Sequence, residues 1–400
     1  MKLIYISHLR FPSERTHSTF ALKTCEGFAR EGVDVELWIP RRRNPAFRGV
    51  DPFRYHRIEK NFIIRRLPAF DVVAIAGKFG NAILTASFSV SVLVYAVSRR
   101  LLRRAIFYGH DPYDMAALLF VRPRMYVEFH EMYDSFRRNS RFARWIFSRM
   151  AGVITTNRFK VDMVHNELDI SRGRILHQPN AVDASAFEVN LDTLAARKSI
   201  HFDGRSPDFD GQTVILYTGH LFDWKGADVL FDAHRFLAGD ETVYFVGGTK
   251  SDVEKFKARS EREGAKNIVM VGERPHGEIP AWLRAADVLV LPHSGKFDIA
   301  RFEASPVKLF EYMASGRPIV AADLPSIREI VDESMVWFFE PDNPRSLVET
   351  IRKALLDREE SERKAAKARI EARRYTWTMR SKHIIDFVTR TAQAYENSLR

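Results

Sequence analysis

The feature that most constrains this chain is an alternation running almost its whole length: short continuous apolar runs, separated by stretches of helical period. In the first half the runs are Lys2–Ser7, Val33–Ile39, Ile63–Leu67, Ala105–Tyr108, Met125–His130, Gly152–Thr156 and Arg174–His177. Helical stretches such as Thr19–Arg30, Phe142–Met150 and Lys160–Asn166 fall between them. The pattern then starts again, with Thr213–Thr218, Thr242–Val246, Asn267–Val271, Val288–Leu291, Pro318–Ala321 and Met335–Phe339. A strand that is apolar at successive positions is buried on both faces, which requires a parallel sheet with helices above and below. The pattern predicts a doubly wound α/β fold, formed twice.

Length agrees, since 400 residues exceed one ordinary core and suit two domains of about 150–200 residues. The boundary is expected after Pro179-Asn180-Ala181-Val182-Asp183. The polar stretch Ala184–Gln212, with Gly204, Pro207 and Gly211, reads as a linker holding a short helix. Ser346–Arg400 is helical by pattern. Within it Arg358–Arg374 is densely charged and reads as solvated, while Trp377, Ile384, Ile385 and Phe387 restore an apolar face. The opening run Lys2–Ser7 is too short for a signal peptide and reads as a first buried strand. The single cysteine, Cys25, allows no internal disulfide and suits a reducing compartment.

Charge divides unevenly. The first 200 residues hold 32 lysines and arginines against 19 acidic residues, and the rest hold 30 against 32. A half this basic can face nucleic acid, an anionic membrane or an acidic glycan, or simply carry a solvated basic surface. The uncharged run Ala82–Ser98, closed by Arg99, Arg100, Arg103 and Arg104, falls short of the roughly 20 residues a spanning helix needs. It reads as a buried helix of the first domain or as an interfacial helix with a basic edge.

The common phosphate signatures are absent: no G-x-x-x-x-G-K-[ST], and no G-x-G-x-x-G after the first strand. Zinc-type Cys/His spacing and a G-x-S-x-G elbow are absent too. The richest run is Glu303-Ala304-Ser305-Pro306-Val307-Lys308-Leu309-Phe310-Glu311, ending near Gly316. It reads as a loop entering a helix beyond a strand, and a helix N-terminus at a sheet's carboxyl edge suits an anion. Glu303 and Glu311 can accept hydrogen bonds from paired sugar hydroxyls, or be an N-terminal charge preference and a solvated carboxylate. Thr218-Gly219-His220 through Trp224-Lys225-Gly226 follows a strand; Gly219 permits close backbone approach and Lys225 offers a point charge. Gly247 and Gly248, then Gly272 to His276, end two further strands and read either as ligand-facing loops or as plain turns. Asp208-Phe209-Asp210 lies ahead of a strand and reads as turn chemistry rather than a metal site.

Taken in order, these motifs resemble the donor domain of retaining family-4 glycosyltransferases of the GT-B fold. The match covers nearly the whole chain. Glu303 and Glu311 fit the family's E-x7-E element, in the variant with Ser-Pro-x-Lys between the glutamates. Trp224-Lys225-Gly226 fits its diphosphate lysine. Val127-Glu128-Phe129-His130-Glu131 is similar to its strand ending in a histidine, and Pro179-Asn180-Ala181-Val182-Asp183 to its Pro-Asn-Gly-Val-Asp. The resemblance implies two Rossmann-like domains facing across a cleft: an acceptor-binding domain over 1–185, a donor-binding domain over 186–375, and a C-terminal helix over 376–400 returning to the first.

It also implies roles. Glu311 would bind ribose hydroxyls. Glu303 would hold hydroxyls of the transferred sugar, with His130 beside the sugar and the β-phosphate. Lys225, Gly219, Gly247, Gly248 and the amides around Ser305, Pro306, Val307, Lys308 and Leu309 would hold the diphosphate, and backbone near Arg274 the base. The family often has arginine where this chain has His220, so Lys308 or an arginine of the basic half is expected to supply the second cation. The first loop, Pro12–Ser18, lacks the family's Gly-Gly pair.

The expected reaction is hexosyl transfer from a nucleoside diphosphate sugar to an acceptor hydroxyl, with retention and without metal or other cofactor. The acceptor is expected to be a glycan or lipid-linked glycan at an anionic membrane surface, which places the protein in the cytoplasm or at the inner face of the cell membrane. A nucleotide-sugar epimerase on the same plan is the alternative. A nucleic-acid-binding protein is not expected, because the basic residues are scattered rather than gathered on one element.

Overall fold

The computed structural model describes residues 1–13, 16–42, 44–130, 140–188, 192–202, 207 and 209–398. The chain divides into two units, Met1–Pro179 with Trp377–Arg400, and Asn180–Thr376.

The first unit is built on β1 (Lys2–Ile6), β2 (Asp34–Pro40), β3 (Ile63–Leu67), β4 (Ala105–Gly109), β5 (Arg124–Phe129), β6 (Gly152–Thr155) and β7 (Ile175–His177). They form one parallel sheet in the order β3-β2-β1-β4-β5-β6-β7. Leu3 pairs in register with Val35 on one side and Ile106 on the other. Successive side chains alternate faces, so Leu3, Tyr5, Tyr108 and Tyr126 enter one layer while Ile4, Ile6, Phe107 and Val127 enter the other. The first layer is covered by α1 (Thr16–Arg30) and by the C-terminal helix Trp377–Ser398, the second by α2 (Val73–Ser98), α3 (Ser140–Ser148) and α4 (Arg158–Leu168). The C-terminal helix is tied to the sheet by Tyr126, whose hydroxyl donates to the Val388 carbonyl at 3.1 Å and lies 2.9 Å from Thr391 Oγ1.

The second unit carries β8 (Thr213–Thr218), β9 (Glu241–Val246), β10 (Ile268–Gly272), β11 (Val288–Leu291), β12 (Ile319–Ala322) and β13 (Trp337–Phe339), all parallel, in the order β10-β9-β8-β11-β12-β13. Its helices include α5 (Thr193–Ser199), α6 (Lys250–Glu263), α7 (Ile279–Ala285), α8 (Val307–Ser315), α9 (Pro344–Leu356) and α10 (Arg358–Ala372). In each sheet the strand order reverses direction once, between β1 and β4 and between β8 and β11. Open α/β sheets bind ligands beyond the carboxyl ends of their strands at this switch point.

Three stretches differ from their sequence reading. Ala184–Gln212 is no linker where it is described: Phe187, Ala196, Ile200 and Phe209 are buried in the second unit's core, and Arg197 donates to Asp287 at 2.7 Å. Three large side chains, Phe187, Ile200 and Phe209, fill a core without making a period. Asp208 lies outside the described residues. Helix α10 is not solvated all round: Ser361, Ala365, Ala368 and Ala372 form a buried seam, and the helix packs on α8. Small residues let two helices approach closely, and the charges on the other faces hide that seam from a hydropathy reading. Helix α2 begins nine residues before the uncharged run and buries a single stripe.

Candidate functional site

In the second unit the residues singled out in sequence converge at the switch point. Strand β8 ends in Gly219 and β9 in Gly247, with φ of 114° and 128°. The two turns lie back to back: Gly219 N–H donates to the Val246 carbonyl at 2.8 Å, and Gly247 N–H to the Gly272 carbonyl at 2.7 Å. A Cβ on Gly247 would stand 2.3 Å from the Gly219 oxygen, so this contact admits only glycine. Gly248 is packed the same way against Leu221.

Lys308, the second residue of α8, reaches back over Gly219, where a Cβ would meet its Nζ at 3.0 Å. Its ammonium is buried, sits 3.7 Å from the centre of the Tyr217 ring, and has no hydrogen-bond partner among the described residues. Burial, with Lys225 nearby, pushes its pKa well below the usual lysine range. Lys225 lies over Trp224 and Phe222, 5.2 and 5.3 Å from the ring centres. Burial brings its pKa down to about 8, against the opposing pull of Glu311. Its turn is fixed by Gly226, where a Cβ would fall 1.8 Å from the Pro292 carbonyl oxygen, and by Ser294 N–H donating to the Trp224 carbonyl at 3.0 Å. Two ammonium groups desolvated side by side are each costly to keep charged. An anion between them would restore the charged form of both.

His220 cannot share that task. Its ring stacks on Phe222 at 5.1 Å, and burial together with Lys225 lowers its pKa. Lys308, unlike His220, reaches directly over Gly219. His293, unremarked in sequence, is buried against Trp224 and is also held neutral, first by burial and then by the two lysines.

Helix α8 is aimed by both ends of its first turns. Asn180 N–H donates to Ser305 Oγ at 3.2 Å, and Asn180 Nδ2 to the Ser305 carbonyl at 2.7 Å. Pro306 caps the helix with φ −74° and ψ 108°, its carbonyl accepting from Leu309 N–H at 2.9 Å, so Val307 and Lys308 open the helix ahead of its first backbone hydrogen bond. Tyr312 accepts from Thr218 N–H at 2.9 Å, locking α8 to the end of β8. Glu311 is mostly buried, with His276 Nε2 3.1 Å from its Oε1. Glu303 ends a π-helical turn, Ile299–Glu303, rather than standing in an open loop; such turns are frequent at functional sites. Arg274 is not turned to the lysines: its guanidinium donates to Glu278 at 2.9 Å and to the His201 carbonyl at 3.1 Å.

In the first unit His130 follows β5 directly, and its Nε2 lies 3.0 Å from Glu128 Oε1. Glu128 is fully buried, accepts from the Tyr108 hydroxyl at 2.6 Å, and is ion-paired with Arg380 of the C-terminal helix. Burial alone would raise its pKa, but Arg380, His130 and His110 outweigh it and hold the carboxyl well below the usual range. At the β1/β4 switch point His8 Nδ1 meets Asp114 at 2.9 Å. Asp114 raises the His8 pKa to about 9, while burial lifts neighbouring Asp111 to about 6. Among the described residues two trios have ligand atoms within 4.8 Å of one another, His110-Glu128-His130 and His8-Asp111-Asp114. In the first, a metal would compete with Arg380 for Glu128; in the second, with His8 for Asp114. Glu128 was legible two residues before His130 on the same strand face; nothing local in sequence points to Arg380.

Comparison with known proteins matches residues 17–186 to Glycosyltransferase Family 4 and residues 200–371 to Glycosyl transferases group 1. D-inositol 3-phosphate glycosyltransferase of Jonesia denitrificans is 26% identical over 224 residues, 53% of this chain and 50% of that protein. The lipopolysaccharide core biosynthesis mannosyltransferase LpsB of Rhizobium meliloti is 27% identical over 207 residues, 49% and 52% of the two chains. The chain thus spans about half the length of the curated relatives it matches. Among solved structures, Anabaena Alr3699/HepE in complex with UDP-glucose superimposes with a TM-score of 0.70 at 16% identity, over 97% of this chain and 99% of that one. At that identity the likeness speaks for the fold.

Proposed function

The chain belongs to the family-4 glycosyltransferases of the GT-B fold, and on that premise we propose that it transfers a hexosyl group from a nucleoside diphosphate sugar to an acceptor hydroxyl, with retention at the anomeric carbon. The observation that carries this reading is the pair of desolvated ammonium groups, Lys308 over Gly219 and Lys225 over Trp224, each under the electrostatic influence of Glu311. A diphosphate supplies the anion that these lysines lack, with the α8 N-terminus adding its partial positive charge. Glu311 accepts from the ribose hydroxyls and Glu303 from hydroxyls of the sugar. UDP-glucose in the similar Anabaena structure supports a uridine nucleotide as the first donor to test.

As the bond from the anomeric carbon to the diphosphate breaks, negative charge grows on the leaving oxygen, and preorganised cations stabilise it more than they stabilise the ground state. The two lysines can do this without a metal ion. In the retaining course the acceptor oxygen attacks the face the diphosphate leaves, its proton passes to the departing phosphate, and the new glycosidic bond keeps the original configuration. His130, steadied by Glu128, lies at the carboxyl edge of its own sheet and contacts the sugar. The acceptor is a glycan or a lipid-linked glycan. The basic first half, and a cell-envelope relative such as the Rhizobium enzyme, support a protein that works at the cytoplasmic face of an anionic membrane.

A thermal-shift screen against UDP-, GDP-, ADP- and dTDP-sugars, run on the protein and its Glu311→Ala variant, tests the donor site. One nucleotide family should raise the melting temperature, and the variant should lose the shift. No shift with any donor would refute the reading. Conversion of the donor sugar in the absence of acceptor would mark an epimerase instead, and an inverted product would exclude retention.

A further inference from the structure

Helix α2 is strongly apolar, with a mean hydropathy of 1.6 over its most apolar window, and is long enough to cross a membrane. Its packing forbids that: Phe88, Val92 and Ala96 are built into the layer beneath the sheet, together with Phe107 and Val127. A helix covered on one side ordinarily turns a polar face outward. This one does not. Ile75, Phe79, Val90, Val94 and Val97 are all exposed, from 90% at Ile75 to 52% at Val97. At the helical repeat Phe79, Val90, Val94 and Val97, with Ala82 and Ala86 between them, fall in one stripe opposite the buried one, while Ile75 stands before a break at Gly77, whose φ of 50° and ψ of −123° are not helical. Lys78, exposed beside Phe79, is the one charged side chain of the helix, and from Asn81 to Ser98 there is none.

The sequence from the helix onward is basic. From Val72 to His110 the sequence holds no aspartate or glutamate, while Arg99, Arg100, Arg103 and Arg104 follow the helix at once. The segment Pro112–Phe120 packs along α2 and ends in Phe120, 78% exposed. The Phe120 ring meets Trp145 of α3 at 6.1 Å, and Arg149 stacks on that indole at 4.1 Å within reach of the charge on Arg122. Helix α3, like α2, contains no acidic residue.

We propose that the outward face of α2, with the Phe120–Trp145 aromatics and the arginines beside it, docks on an anionic lipid membrane, the helix lying in the plane of the headgroups. An apolar stripe flanked by cations and amphipathic rings matches the boundary between headgroups and acyl chains, where each apolar group leaves water and each guanidinium meets a lipid phosphate. A nucleic acid would use the arginines but leave the stripe in water. The proposal deepens the reading of the acceptor as membrane-borne and rests on it, since docking by the first unit would hold its switch-point residues near lipid-linked substrates.

Flotation of the full chain with vesicles tests it. The protein should float with vesicles containing phosphatidylglycerol at low salt, and far less with pure phosphatidylcholine. Replacing the four arginines singly by glutamine should weaken partition about fivefold each. The paired change Val90→Glu with Val94→Glu, at exposed positions, should abolish flotation while leaving circular dichroism and the UDP-induced thermal shift intact. Failure of the unsubstituted protein to float, or flotation unchanged by the paired substitution, would overturn the proposal. So would a dimer on gel filtration that the same substitution dissociates without any vesicle binding, which would assign the stripe to a second copy of this chain. Failure of the donor reading shows up separately, as a missing UDP shift in a protein that still floats.

Discussion

Lys225 should make donor affinity and folding stability depend on pH in opposite directions. Its pKa is brought from 10.5 to about 8, chiefly by burial. At about 1.4 kcal/mol per unit, keeping the ammonium charged in the unliganded protein costs about 3 kcal/mol. Below pH 8 the group is charged in both folded and unfolded chains, so the full cost is present. Between pH 8 and 10.5 the unfolded chain holds a proton that the folded chain releases, so stability rises with pH across this window. A bound diphosphate reverses the preference by favouring the ammonium, and the complex keeps its proton. UDP affinity should therefore fall by up to about tenfold per pH unit above pH 8, with proton uptake on binding. Calorimetry from about pH 7 to about pH 10, in two buffers of different ionisation enthalpy, counts those protons directly. Lys225→Met keeps the stem over Trp224 and removes the charge. It should raise unliganded stability at neutral pH and weaken UDP by about 1.5–3 kcal/mol, the worth of a charge-assisted hydrogen bond. A shallower pH slope should remain, because Lys308 is depressed in the same sense. UDP affinity that stays flat to pH 10, or a Met variant with the full slope and unaltered proton uptake, would refute the argument.

The remaining expectations concern the scaffold. Gly247→Ala sets a Cβ 2.3 Å from the Gly219 carbonyl oxygen at a φ of 128°, and should cost at least about 2 kcal/mol in chemical denaturation and remove the UDP shift; a variant of native stability would contradict the back-to-back packing of the two turns. Glu128→Gln leaves Arg380 buried without its carboxylate, a loss of about 3–5 kcal/mol; because the Glu128 pKa is depressed, the stability it contributes is present at neutral pH and fades as pH falls into the acid range. If a melt of the double variant Glu128→Gln with Arg380→Met shows no recovery over the single change, the pair is not coupled as described. His8 works in the opposite sense: its pKa is raised to about 9 by Asp114, so its contribution is full below about pH 6.5 and is lost as pH rises through 9. Asp114→Asn should flatten that part of the stability–pH curve, and an unchanged curve would remove His8 from the account. Asn180→Ala unties the Ser305 loop, and donor KM should rise about fivefold, from a hydrogen bond worth about 1 kcal/mol.

The sheets were legible because parallel strands buried on both faces leave a signal that needs no context: Val288–Leu291 reads the same in sequence and in structure. Burial by size rather than by period was not legible. Phe187, Ile200 and Phe209 lie far apart in a polar stretch, and only the fold brings them together. The same holds in the candidate site. Gly219, Lys225, Gly247 and Glu311 were readable from motif and strand position, and the structure gathers them. What sequence could not give is the state of the groups. Lys308 and an arginine of the basic half were the candidates for the second cation in place of His220; burial and the charge of Lys225 lower the His220 pKa, while Lys308 reaches over Gly219. Arg274, equally cationic in sequence, is held by Glu278.

Helix α2 shows why composition alone stops short. Its sequence is compatible with a buried helix, an interfacial helix and, by length, a spanning one. Hydropathy reports that a residue prefers to leave water; it does not report what covers it. In α2 the preference runs round the whole helix, and the sheet satisfies only the stripe that includes Phe88, Val92 and Ala96. The stripe from Phe79 to Val97 keeps the same preference on the outside and is followed at once by arginines. A chain under pressure only to fold would lose nothing by placing lysine or glutamate at Val90 or Val94, since exposed helix positions tolerate polar residues within a few tenths of a kcal/mol. That both are valine, a poorer helix former than either, argues that the outer face meets an apolar surface.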